Sequence, residues 1–62
     1  GSVSPKEFSN FLNISRRSTF ENANILFVLH RNGIISEGEK DELLDKLDHL
    51  CRQITKFQRT LQ

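Results

Sequence analysis

Few side chains among these 62 residues have the type and spacing to do chemistry. Cys51 is the only cysteine, and His49 stands two positions before it. Residues two apart on a helix point in different directions, so the pair cannot serve as nucleophile and base. One thiol also cannot start a zinc motif, and Cys51 reads as a small packing residue. Asp45 and His49 are four apart and share a helix face, and Glu21 falls near their level if the chain folds back at its middle. Di-iron sites in helical bundles use inward Glu-x-x-His motifs at i, i+3. The spacing here differs, and His49 sits among polar residues, so the pair reads as solvated. His30 reads as a partner for the end of its own helix. The residues therefore offer no catalytic group, metal site, cofactor or small-molecule substrate, and an enzyme is not expected.

The basic residues carry more information. Arg52, Lys56 and Arg59 form a stripe with no acid among them. In a hairpin, Arg16 and Arg17 fall at about the level of Arg52 and Lys56. Five such cations could contact phosphates. No aromatic residue is interleaved to stack on bases, so a surface of this kind would bind with little sequence preference. The plainer reading is a solvated face that complements a helix dipole, with i, i+4 pairs such as Asp48–Arg52 and Glu42–Lys46. The net charge of +1 does not choose between them.

Two helices must position these residues. Ser4-Pro5-Lys6-Glu7 has the form of a capping box with proline at the first helical position. Ser36-Glu37-Gly38-Glu39 repeats the device, with its acids at the positive end of the dipole. Gly33, after His30, Arg31 and Asn32, suits the left-handed residue that closes a helix. The expected elements are helix 1 over about residues 5–32, a turn at 33–36 and helix 2 over about 37–61. No segment alternates as a strand would, and no apolar run reaches the length of a membrane span. Gly1-Ser2 reads as a cloning scar, with the domain taken as 3–62. A lone thiol fits a reducing compartment, and the expected location is the cytoplasm.

Helix 2 has a seam of Leu43, Leu47, Leu50, Ile54, Phe57 and Leu61, spaced four, three, four, three, four and widened by Leu44 and Cys51. Helix 1 gathers Phe8, Phe11, Leu12, Ile25, Leu26 and Leu29 on one broad face, with Ser15, Ser18 and Asn22 in its middle. These two sets are the expected hairpin core. Phe20, Ala23 and Phe27 stand to one side of it. One partner helix cannot cover both surfaces of helix 1, so Phe20, Ala23 and Phe27 are the expected oligomer interface. The fold class that follows is all-α: an antiparallel helical hairpin that pairs into a four-helix bundle or docks on another helical protein.

Ser4-Pro5-Lys6-Glu7-Phe8, Phe11-Leu12-Asn13-Ile14, Arg17-Ser18, Glu21 and Gly33-Ile34-Ile35-Ser36 with Glu39 together resemble a known pattern. It is that of the second half of the bacterial four-helix-bundle proteins encoded by intervening sequences in 23S ribosomal RNA genes. Accessory variability proteins of diversity-generating retroelements belong to the same broad group. The likeness spans nearly the whole chain but half of that family's fold. Ser15 stands where alanine is usual, and Arg17 replaces the glycine of a Gly-Ser pair. Phe20 and Asn24 depart from the commoner small and acidic residues. What the resemblance implies is a bacterial, oligomeric bundle with RNA or DNA association. It supplies no active site. Two functions are expected from these readings: an oligomeric module that assists a nucleic-acid machine through Arg16, Arg17, Arg52, Lys56 and Arg59, or a protein–protein or dimerisation domain without that role.

Overall fold

The computed structural model describes residues 4–61; Gly1, Ser2 and Val3, on which the expected scar and domain start fall, lie outside the described residues, as does Gln62. Two helices make up the fold, α1 (Pro5–Arg31) and α2 (Glu37–Arg59), packed antiparallel as a hairpin. The molecule is a rod of 45 × 17 × 15 Å, the length that 27 residues of helix span at about 1.5 Å each. No strand occurs among the described residues.

Each boundary has a local cause. Pro5 opens α1, where its missing N–H costs nothing. The Ser4 hydroxyl accepts from the Glu7 backbone N–H at 3.1 Å. At α2 the capping box is complete. The Glu39 N–H donates to Ser36 Oγ, and the Ser36 N–H donates to Glu39 Oε1, each at 3.0 Å. The Ser36 backbone N–H, and then its hydroxyl, hold the Glu39 carboxyl below the ordinary glutamate value.

The connection closes α1 with two nested bonds. Ile34 N–H donates to the Leu29 carbonyl at 2.9 Å, and Gly33 N–H donates to the His30 carbonyl at 3.0 Å. This is the Schellman arrangement, and it puts Gly33 at φ 74°, a left-handed conformation that no other described residue adopts. Helix α1 thus stops at Arg31, with Asn32 as its cap, one residue short of the expected end. Helix α2 stops at Arg59, with Thr60 as its cap, two residues short of it.

The most buried line along the two helices differs from the expected core. On α1 it follows Ser9, Leu12, Asn13, Arg16, Thr19, Ala23, Leu26 and His30. On α2 it follows Lys40, Leu44, Leu47, Cys51, Ile54, Thr55 and Gln58, all at least half-buried. Of the expected core, Leu12, Leu26, Leu29, Leu44, Leu47, Cys51, Ile54 and Leu61 are half-buried. Phe8, Phe11, Ile25, Leu43, Leu50 and Phe57 are exposed and are not core residues of the hairpin. The reason is steric. Two helices pack most closely where their facing side chains are small or slender, and here Ser9, Thr19, Ala23 and Cys51 provide that line. The phenylalanines and the remaining leucines are displaced to its flank. Ser15 and Ser18, expected in the helix contact, are exposed and donate instead to the carbonyls of Phe11 and Ile14, one turn back in α1.

Candidate functional site

The side chains that matter fall into three groups, and the hairpin places each in a different setting. The first is a polar clamp near the open end. Arg16 Nη1 donates to Gln58 Oε1 at 3.0 Å and to Thr55 Oγ1 at 3.2 Å, and Nη2 donates to Asn13 Oδ1 at 2.7 Å. Gln58 Nε2 donates back across the seam to Ser9 Oγ and Asn13 Oδ1, both at 2.8 Å, and to the Ser9 carbonyl at 3.0 Å. Below this layer, Thr19 Oγ1 donates to the Arg16 carbonyl at 2.6 Å. Gln58 is 8% exposed and Thr19 5%, and they are the only buried residues among those described. No buried side-chain oxygen or nitrogen lacks a partner among the described residues. A closed polar network of this kind fixes the register of two helices, since a slip of one turn would break all its cross-helix bonds together.

The clamp corrects one expectation. The sequence puts Arg16 on a phosphate-binding surface, but its guanidinium is half-buried and turned between the helices, where neutral oxygens satisfy it. Asn13, Thr55 and Gln58, which draw it in, do not stand out in the sequence. Their signal is that of polar residues at heptad spacing opposite one another, and such positions usually read as solvent-facing. The other four basic residues, Arg17, Arg52, Lys56 and Arg59, are exposed. Arg52 Nε lies 3.0 Å from Asp48 Oδ2, and Lys46 Nζ lies 3.5 Å from Glu42 Oε1, the two i, i+4 pairs expected from the sequence. Such exposed pairs contribute little to stability.

The second group is a lateral apolar face. The Phe8 and Phe57 rings meet edge-on, with centroids 5.7 Å apart, at the open end. Towards the turn, Ile25 and Leu26 of α1 join Leu43, Leu47 and Leu50 of α2 to line one groove. Leu43, Leu50 and Phe57 are seven apart, so they repeat along the same side of α2 and join these two ends into one stripe. Phe8, Ile25, Leu43, Leu50 and Phe57, expected in the core, are therefore still gathered together, but on a side of the hairpin that faces outwards.

The third group lies on the opposite flank. Phe20, 62% exposed, lines a smaller groove with Thr19, Ala23, Leu44, Asp48 and Cys51. Phe27 is half exposed, and Lys40 Nζ stands 5.7 Å from its ring centroid. That distance is within cation–π range. Ala23, expected in an oligomer interface with these two rings, is half-buried and faces into the hairpin.

The chemistry-bearing residues remain apart. Cys51 is half-buried, whereas His49, Asp45 and Glu21 are exposed. No three His, Cys, Asp or Glu side chains gather to hold a metal ion among the described residues. No helix there is long and apolar enough to cross a membrane. The chain matches no protein-family model, no curated protein and no solved structure.

Proposed function

We propose that this chain is a non-catalytic assembly module that acts by associating through its apolar faces, chiefly with itself. One observation carries the reading. Among the described residues no apolar side chain is fully buried, while Phe8, Phe11, Ile14, Phe20, Ile25, Phe27, Val28, Ile34, Leu43, Leu50 and Phe57 are all exposed. Covering a large apolar side chain stabilises by about 1.5–3 kcal/mol. A domain this small has no other large source of stability. Association supplies the missing core. The motif resemblance to bundle-forming bacterial proteins agrees with this reading. Light scattering or sedimentation at micromolar concentration tests it: a mass of two or more chains is expected, and a stably helical monomer at high micromolar concentration overturns it.

A second reading rests on the exposed cations Arg17, Lys56 and Arg59, which have no acid beside them in sequence. In this reading the assembled module contacts nucleic-acid phosphates. Without Arg16 and with Arg52 paired to Asp48, each chain contributes these three cations, so copies must be gathered to bind well. Affinity for duplex DNA should then fall steeply with salt, by close to one unit of log–log slope per phosphate neutralised. Lys56→Gln should reduce that slope. No complex at tens of micromolar protein in low salt removes this second reading and leaves the assembly module in place.

A further inference from the structure

We infer that the partner on the Phe8–Leu50–Phe57 face is a second copy of this chain, docked antiparallel, so that the turn of each hairpin lies over the open end of the other. The inference rests on the assembly reading above and adds the face and the orientation.

Area supports one protein partner of this size. The chain exposes 4985 Å². A compact monomer of 7.2 kDa exposes roughly 4100 Å² by the scaling of surface with mass. The excess, on the order of 900 Å², is close to the ~800 Å² that each partner buries in a standard protein interface. One such interface per chain therefore brings the surface down to that of an ordinary folded protein. The face is long enough to supply it, because it runs from Phe8 and Phe57 at the open end to Ile25 and Leu43 towards the turn.

Charge chooses the second copy and sets its direction. The open end, residues 4–19 and 50–61, holds Lys6, Arg16, Arg17, Arg52, Lys56 and Arg59 against Glu7 alone, a net of +5. The turn end, residues 20–49, holds Arg31, Lys40 and Lys46 against Glu21, Glu37, Glu39, Asp41, Glu42, Asp45 and Asp48, a net of −4. The hairpin is thus a rod with opposite charge at its two ends, and a copy of itself turned end for end is its electrostatic complement. A parallel copy would bring +5 to +5 and −4 to −4 at interhelical spacing. Side-chain volume agrees with charge. The aromatic end, Phe8 and Phe57, would pack on the aliphatic end, Ile25 and Leu43, instead of ring upon ring. A two-fold axis through the middle of the rod satisfies both conditions and closes the assembly at two chains.

Pulsed electron spin resonance on the full chain tests the orientation directly. A nitroxide label is attached to Ile34→Cys, at the exposed turn, in a Cys51→Ala background whose helicity is checked by circular dichroism. In an antiparallel dimer the two labels lie at opposite ends, so their separation should approach the 45 Å length of the rod. In a parallel dimer they lie within the width of neighbouring helices, on the order of 10 Å, plus the label tethers. A short separation overturns the antiparallel arrangement while leaving the assembly reading intact. Absence of any dipolar signal, with a monomer mass and full helicity, overturns both. The face is tested by a pair of variants. Leu50→Ser should weaken dimerisation by tenfold or more, while Phe20→Ser, on the other flank, should leave it within about threefold. The reverse result assigns the interface to the Phe20 flank and overturns the face proposed here.

Discussion

Gln58 shows how a single polar side chain can hold two helices in register. Its amide accepts from Arg16 and donates to Ser9 and Asn13, so one residue of α2 engages three of α1. The bonds gain only modest net energy, because water would otherwise satisfy the same groups; the cost falls on whatever is left unpaired when one partner is removed. Gln58→Ala leaves Arg16 short of an acceptor and Ser9 and Asn13 short of a donor in a partly closed site. It should cost about 1–3 kcal/mol. Gln53→Ala, on an exposed position of the same helix, should stay within roughly 0.5 kcal/mol. Urea unfolding at matched chain concentration compares the two. Equal midpoints would mean that the clamp is ornamental and that apolar contacts alone set the register.

At the scale of elements, the turn is the most rigidly specified part of the chain. Gly33 sits at φ 74°, and beyond its chain neighbours no atom lies within 4 Å of where a Cβ would stand, so any penalty for substitution comes from the backbone and not from crowding. A left-handed residue with a Cβ costs roughly 1–2 kcal/mol, and a β-branched one sits at the upper end. Gly33→Val should lower stability by at least about 1 kcal/mol, measured by thermal melting, and an unchanged midpoint would mean that the loop can re-form without its left-handed residue. The turn and both helix starts are legible in the sequence because caps are local: Ser4-Pro5, Ser36 with Glu39, and Asn32-Gly33 each act within a few residues. The apolar stripes are legible too. Their assignment to the inside of the hairpin is not. A helix face records that it must be covered, but not by which neighbour, and Leu43, Leu50 and Phe57 carry the same heptad signature whether they meet α1 or another chain. Arg16 escapes a reading of the sequence for a related reason. Its destination depends on Asn13, Thr55 and Gln58, and two of those three lie about forty residues away.

For the whole molecule, the lack of any fully buried apolar side chain among the described residues ties folding to association. Backbone ordering opposes folding by about 1–2 kcal/mol per residue. In most domains a closed core offsets that loss within one chain. Here half-buried leucines and one polar clamp face it alone, and isolated helices of this length gain little from intrinsic propensity. If the second apolar surface arrives with a partner copy, the folded state is reached only as the assembly forms, and mass action then governs stability. The thermal midpoint should rise with chain concentration, and dilution into the nanomolar range should lower helicity without any change of solvent. Circular dichroism across a hundredfold range of concentration measures both. For a two-chain transition the midpoint should move by roughly 5–11 °C over that range, since a hundredfold change in concentration is worth about 2.7 kcal/mol per dimer, or about 1.4 per chain, at room temperature and a kilocalorie shifts the midpoint of a domain this size by roughly 4–8 °C. A midpoint that stays fixed, with helicity intact at the lowest concentration, would show that the hairpin is stable with Phe8, Leu50 and Phe57 exposed to water, and the apolar face would then need an explanation other than assembly.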